Sequence, residues 1–201
     1  MSGNAYVQAK EIAHETFSRL AELRANQQDL KRAGSRLKMC ASVVDPEVQH
    51  ALFEAAAIAY RRCFTTGVRQ PLQVSDVEAL GESESSLHLY FHNVASKFVA
   101  HSVNPFEDYK CGAAFLDDGS IVVANLTARL VSFSRDEVEA VIILIDQINE
   151  QVVVPRCKEL EALAHSIAAE LTQEERDALP ALRIYGRGPE SAGQSRLKSK
   201  S

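Results

Sequence analysis

Apolar residues return every three or four positions over most of the chain, and that rhythm restricts it to packed amphipathic helices. The clearest run is Leu87, Phe91, Val94, Phe98 and His101, whose steps of four, three, four and three put all five on one helical face. A histidine closes this apolar stripe. The same spacing predicts a long first helix from Ala5 to about Leu30, carried by Ala9, Ile12, Ala13, Phe17, Leu20, Leu23 and Leu30, with Gly34 and Ser35 opening a connector. Asp45 then offers a capping oxygen ahead of Pro46 at the first helical position, so a second helix is expected from Pro46 to about Phe64, stopped by Thr65, Thr66 and Gly67. A turn-rich segment with Pro71 and Gly81 leaves room for a short helix near Asp76 to Leu80 before the striped helix, about Glu84 to Ser102.

Between Tyr109 and Phe133 the pattern becomes extended. Two apolar runs flank Asp117, Asp118 and Gly119, a hairpin-turn composition, and the segment Ala128 to Phe133 offers a third short strand. Ser134 and Glu137 form a capping box that starts a helix at Arg135. Its apolar face, Val138, Val141, Ile142, Ile145, Ile148 and Val152, continues through Leu160, Leu163, Ala164, Ile167 and Leu171, with a kink or break expected at Pro155. Thr172 and Glu175 cap a last short helix ending before Pro180. The expected fold is mainly α: a single helical-bundle domain over 1–185 with a small antiparallel β-hairpin insertion at about 109–133, then a disordered basic tail over 186–201.

With 201 residues, 46% of them hydrophobic, the chain can bury a substantial core in one domain. A net charge of -5 argues against a surface that attracts nucleic acid everywhere, so any polyanion site must be a local patch. Cys40, Cys63, Cys111 and Cys157 follow no metal-ligand or paired spacing and read as buried, reduced thiols. Neither a leader nor a membrane span is recognisable, which makes a cytoplasmic location the expectation, with no membrane partner.

Three groups of residues carry chemistry. His88 and His92 lie one helical turn apart, but no third ligand stands out, so they read as a polar flank of their helix and no metal or other cofactor is expected. Arg61, Arg62 and Arg69 bracket the end of the second helix, interleaved with Tyr60 and Phe64; guanidinium groups beside aromatics suit phosphate or base contacts, and equally suit capping of a helix C-terminus. His101 is the third. A partly buried imidazole is tuned for proton transfer near neutrality, with Lys97 one turn earlier able to hold a phosphate and Asn104 and Glu107 able to orient the ring; the alternative is a satisfied core or interface histidine.

The segments Ala51–Arg69 and Leu87–Asp108 resemble small bacterial proteins related to the HEPN superfamily. There an aromatic-x-arginine-x-phenylalanine element, matched by Tyr60, Arg62 and Phe64, precedes a helix ending in a motif like R-D-K-H-I-A-H-S. The resemblance implies an all-helical bundle that dimerises across the motif helix and, in active members, a metal-independent ribonuclease in which an arginine and the terminal histidine act together on the ribose 2′-hydroxyl, often in toxin–antitoxin systems or phage defence. His101 matches the histidine, and Ala100, Ser102, Val103, Asn104 and Lys97 also fit. Ala95 stands where the arginine belongs, Ser96 replaces the acid and Phe98 the first histidine. Losing one donor to transition-state charge costs roughly 2.7–4 kcal/mol, or about 100- to 1000-fold in rate.

The reading that follows is a catalytically degenerate HEPN-like protein, a homodimer binding RNA, a nucleotide or a protein partner through Arg62, Arg69, Lys97, Asn104, Glu107 and His101. Two alternatives stand beside it. In one the His101 stripe is a dimer interface of a structural protein; in the other an active ribonuclease uses an arginine relocated from a neighbouring helix.

Overall fold

A computed structural model describes residues 9–67, 69–99, 107–129 and 134–182. The first helix, α1 (Glu15–Ser42), begins later than the spacing suggested and ends much later. His14 caps its start, with Nδ1 accepting from Thr16 N at 3.1 Å, while residues 9–14 are not helical. The preceding strand-like stretch is instead tied to the far end of the described chain, where Lys10 forms an antiparallel bridge with Ala181 and Leu182 N donates to Ala9 O at 2.8 Å. Gly34 opens no connector. Leu30, Ala33, Leu37 and Cys40 extend the buried stripe through it, and burial of that face outweighs the modest helix penalty of one glycine.

Asp45 Oδ1 accepts from Glu47 N and Val48 N and launches α2 (Pro46–Arg62), as the Asp-Pro pair predicts. The short α3 (Val74–Glu78) is anchored by a two-pronged ion pair from Arg156 to Asp76, at 2.6 and 2.9 Å. The striped helix α4 (Glu82–Val94) passes into a π-helical turn, Ala95–Val99. The capping box at Ser134 and Glu137 starts α5 (Arg135–Gln147), which widens into a π-helical segment, Ile148–Val153, and resumes as α6 (Val154–Glu170). The break expected near Pro155 therefore takes the form of a wide turn just before it: proline gives no N–H to the preceding turn, and an i→i+5 pattern absorbs the mismatch. Thr172 caps α7 (Gln173–Ala178).

The core is the space between these helices. Helix α1 packs against α2, α5 and α6, and α4 joins α2 and α5. Leu30 and Leu37 meet Phe53, Tyr60, Phe91, Val94, Val141, Leu144, Ile145 and Ile148 there, each at most 4% exposed. At its aromatic centre Phe53 and Phe91 meet edge-on, rings 5.6 Å apart at 74°, and the Tyr60 and Phe91 rings are tilted at 52°, 5.0 Å apart. Each such side chain contributes on the order of 1.5–3 kcal/mol by leaving water.

Strands β1 (Glu107–Phe115) and β2 (Ile121–Arg129) form an antiparallel ribbon, in register from Glu107↔Arg129 to Phe115↔Ile121. Leu116 O accepts from Gly119 N, and Gly119 at φ +80° closes the turn, a conformation that suits glycine. Among the described residues the sheet has two strands; Ala128 and Arg129 belong to β2, and the remainder of the proposed third strand lies outside the described residues, as does the 186–201 tail. Among the described residues no helix is long and apolar enough to cross a membrane.

Candidate functional site

Successive helical residues point about 100° apart, and the last turn of α2 uses that to send three neighbours in three directions. Tyr60 turns into the core, where its Oη is 2.7 Å from His88 Nδ1 on α4. Arg61 faces the π-helical turn, with Nε donating to Ser96 Oγ at 2.9 Å. Arg62 faces α1, where its Nε stands 3.6 Å from Asp29 Oδ2.

Asp29 is only 2% exposed and collects three guanidinium groups. Arg69 is nearest, with Nη2 at 2.6 Å from Oδ2, and Arg32 Nη1 lies 3.4 Å from Oδ1. This cluster fastens the loop after α2 to α1, assisted by Asn26 Nδ2 donating to Gln70 O at 3.1 Å and Leu72 N donating to Cys63 O at 2.8 Å. Burial, reinforced by the Asp29 charge, pushes the Cys63 thiol up to about 12, so it stays protonated and inert. Of the expected ligand residues, then, Arg62 and Arg69 are joined to each other through a shared carboxylate on α1, while the arginine beside the motif helix is Arg61.

His88 does not lie on a polar flank. It is 3% exposed, packed between Tyr60 and Phe64 with ring centroids 5.8 and 4.5 Å away, because the Tyr60 hydroxyl satisfies its ring inside the core. Burial, with a smaller contribution from His92, drives its pKa down to about 4. His92, 5.7 Å from His88 between ring centroids and only half-buried, is also lowered, by burial first and then by the Arg61 charge. Both rings are thereby held neutral near pH 7, which leaves Arg61 as the cation beside them. Among the described residues no group of three His, Cys, Asp or Glu is arranged to hold a metal ion. Cys40, Cys63 and Cys157 are buried thiols, but Cys111 is exposed on the ribbon.

Ala95, which the resemblance aligns with the motif arginine, is fully buried, and a long cationic side chain at that position would have to enter the core. Ser96, the next residue, is half-buried and receives Arg61; Lys97 is exposed on the following position. Glu107 is the first residue of β1, paired in register with Arg129, and is not part of a helix-ending turn. His101 and Asn104 lie outside the described residues.

The group of Arg61, His92 and Ser96 was only partly visible beforehand. A tandem of arginines at a helix end shows that two cations are present, and which one faces the motif helix depends on the neighbours of α2. No protein-family model, no curated protein and no solved structure matches the chain.

Proposed function

We propose that this chain is a HEPN-like protein that has lost the nuclease centre and binds the phosphates of RNA or of a nucleotide where α2 meets the motif helix, in a toxin–antitoxin or phage-defence setting. The observation that supports this is the hydrogen bond from Arg61 to Ser96: a neighbouring helix delivers a guanidinium to within one residue of the position where the motif arginine is missing. Arg61 is the anion-binding group, since its planar donors suit a phosphate and the adjacent imidazoles stay neutral and do not repel one another. Lys97 adds a second, exposed positive charge one residue beyond Ser96. His101 ends the motif and is the residue through which any remaining proton transfer would run.

The test is binding of a short single-stranded oligoribonucleotide across a salt series. Arg61→Ala is expected to weaken affinity about tenfold or more and to lower the salt slope by about one. Arg62→Ala is expected to leave affinity unchanged. Equal affinity for wild type and Arg61→Ala sinks the reading, and metal-independent RNA cleavage abolished by His101→Ala replaces it with an active ribonuclease.

A further inference from the structure

Among the described residues β1 and β2 pair with each other and neither contacts a helix. The tip of this ribbon is nonetheless apolar: Phe115, Leu116, Ile121, Val122 and Val123 expose between 48% and 77% of their surface. A patch of this composition, on the order of 400 Å² per copy, matches the largest found on ordinary monomers and marks an interaction site.

The two edges differ in a way that selects the occupant. The β1 edge carries Glu107, Asp108 and Lys110 and is interrupted by Gly112, the charges and irregularities with which proteins protect open strands. On β2 the one charge, Arg129, stands at the base: Ile121 to Ala128 reads IVVANLTA, eight residues without charge, proline or glycine. This uncharged run can face a second copy of itself with no like charges opposed, whereas two β1 edges carry their charges and glycine into the seam.

Backbone geometry supplies the donors. Leu116 N donates to Ser120 O at 2.9 Å, so by the alternation of antiparallel ladders the Ala114↔Val122 pair is hydrogen-bonded and the Ala113↔Val123 pair is not. Ile121 and Val123 therefore direct their N–H and C=O groups to the open edge.

We propose that β2 is a self-association edge: two copies pair β2 to β2, antiparallel about a twofold axis, into a four-stranded sheet of order β1-β2-β2-β1. The twofold makes the interface isologous and places Phe115, Ile121 and Val123 of both copies on one face, since Phe115↔Ile121 and Ala113↔Val123 share a side of the ribbon. The new edge hydrogen bonds and the side-by-side contact of Ile121 and Val123 across the seam, with the apolar face itself left open, correspond to a weak dimer, with Kd of roughly 1–100 μM.

Sedimentation velocity on the full chain from about 1 to 200 μM is expected to show that equilibrium. Val123→Pro removes an edge donor without breaking the β1–β2 ladder, and Val123→Lys opposes like charges across the axis; each is expected to weaken dimerisation at least about tenfold with helical circular dichroism unchanged. A wild type that stays monomeric to about 200 μM, or a dimer unaffected by both substitutions, overturns the proposal. So does quantitative trapping of the dimer by a Cys111–Cys111 disulfide, because the β1-β2-β2-β1 order keeps those thiols about 14 Å or more apart and only β1-to-β1 pairing brings them together.

Discussion

Two buried polar groups, His88 and Asp29, set the behaviour of this protein at the level of single residues. His88 titrates near its ordinary 6.5 in the unfolded chain and near 4 in the folded one, so between those values the unfolded state holds the extra proton. Stability contributed by the neutral ring is complete above about pH 6.5 and is lost as pH falls toward 4, to a total of about 3 kcal/mol. Thermal melts from pH 7 to 4.5 are expected to show this slope. The paired substitution Tyr60→Phe with His88→Leu, which removes donor and acceptor together, should flatten it at small cost, and an unchanged slope would assign the titration to other groups. Asp29 yields a contrast between two arginines. Arg69, with its side chain 19% exposed and bonded at 2.6 Å, belongs to a buried pair whose disruption costs on the order of 3 kcal/mol, whereas Arg62, 59% exposed and 3.6 Å away, is worth less than about 1 kcal/mol. Denaturant titration of Arg69→Ala and Arg62→Ala measures both, and equal losses would refute the assignment of Arg69 as the structural partner.

Whole elements show where sequence suffices and where it does not. The starts of α2, α5 and α7 were legible because a capping residue acts on backbone within three positions of itself. The hairpin was legible for the same reason, its turn chemistry being local to Asp117, Asp118 and Gly119. The extent of α1 was not, since Gly34 is a local stop signal overruled by distant partners on α2 and α5. His88 was misplaced for a related reason: the acceptability of an imidazole in a core depends on Tyr60, 28 residues away. The glycine itself carries a prediction. A methyl group at position 34 would meet Ile145 Cγ2 at 3.6 Å, an ordinary contact, and the backbone there is helical. Gly34→Ala is therefore expected to stabilise the protein by about 0.5–1 kcal/mol, by removing backbone freedom from the unfolded chain. A lower melting temperature in this variant would mean that the α1–α5 contact is tighter than this geometry allows.

At the scale of the molecule, the described residues of the bundle and of the ribbon form separate contact groups. The core lies between the helices and the loop residue Leu72, and no ribbon residue is among its described members. A lone two-stranded hairpin is marginal in water, so its order in a single copy depends on its turn and on whatever covers its apolar tip. The site proposed at Arg61 sits on the bundle, and the self-association edge sits on the ribbon, which makes the two functions separable by deletion. Glu107 and Arg129 are paired, and paired strand residues lie about 5 Å apart, so a two-residue Asn-Gly turn can replace residues 108–128 without stretching either flank. Among the described residues no helix contact is lost, and the shorter loop costs slightly less entropy to close. At about 0.1 μM, where a dimer with that Kd is dissociated, the deletion is expected to leave the melting temperature within about 2 °C of wild type. At about 200 μM wild type should melt higher than the deletion, because mass action then adds the association free energy to its stability. A loss of 5 °C or more at the low concentration would show that the ribbon packs on the bundle of its own chain and is not an independent arm.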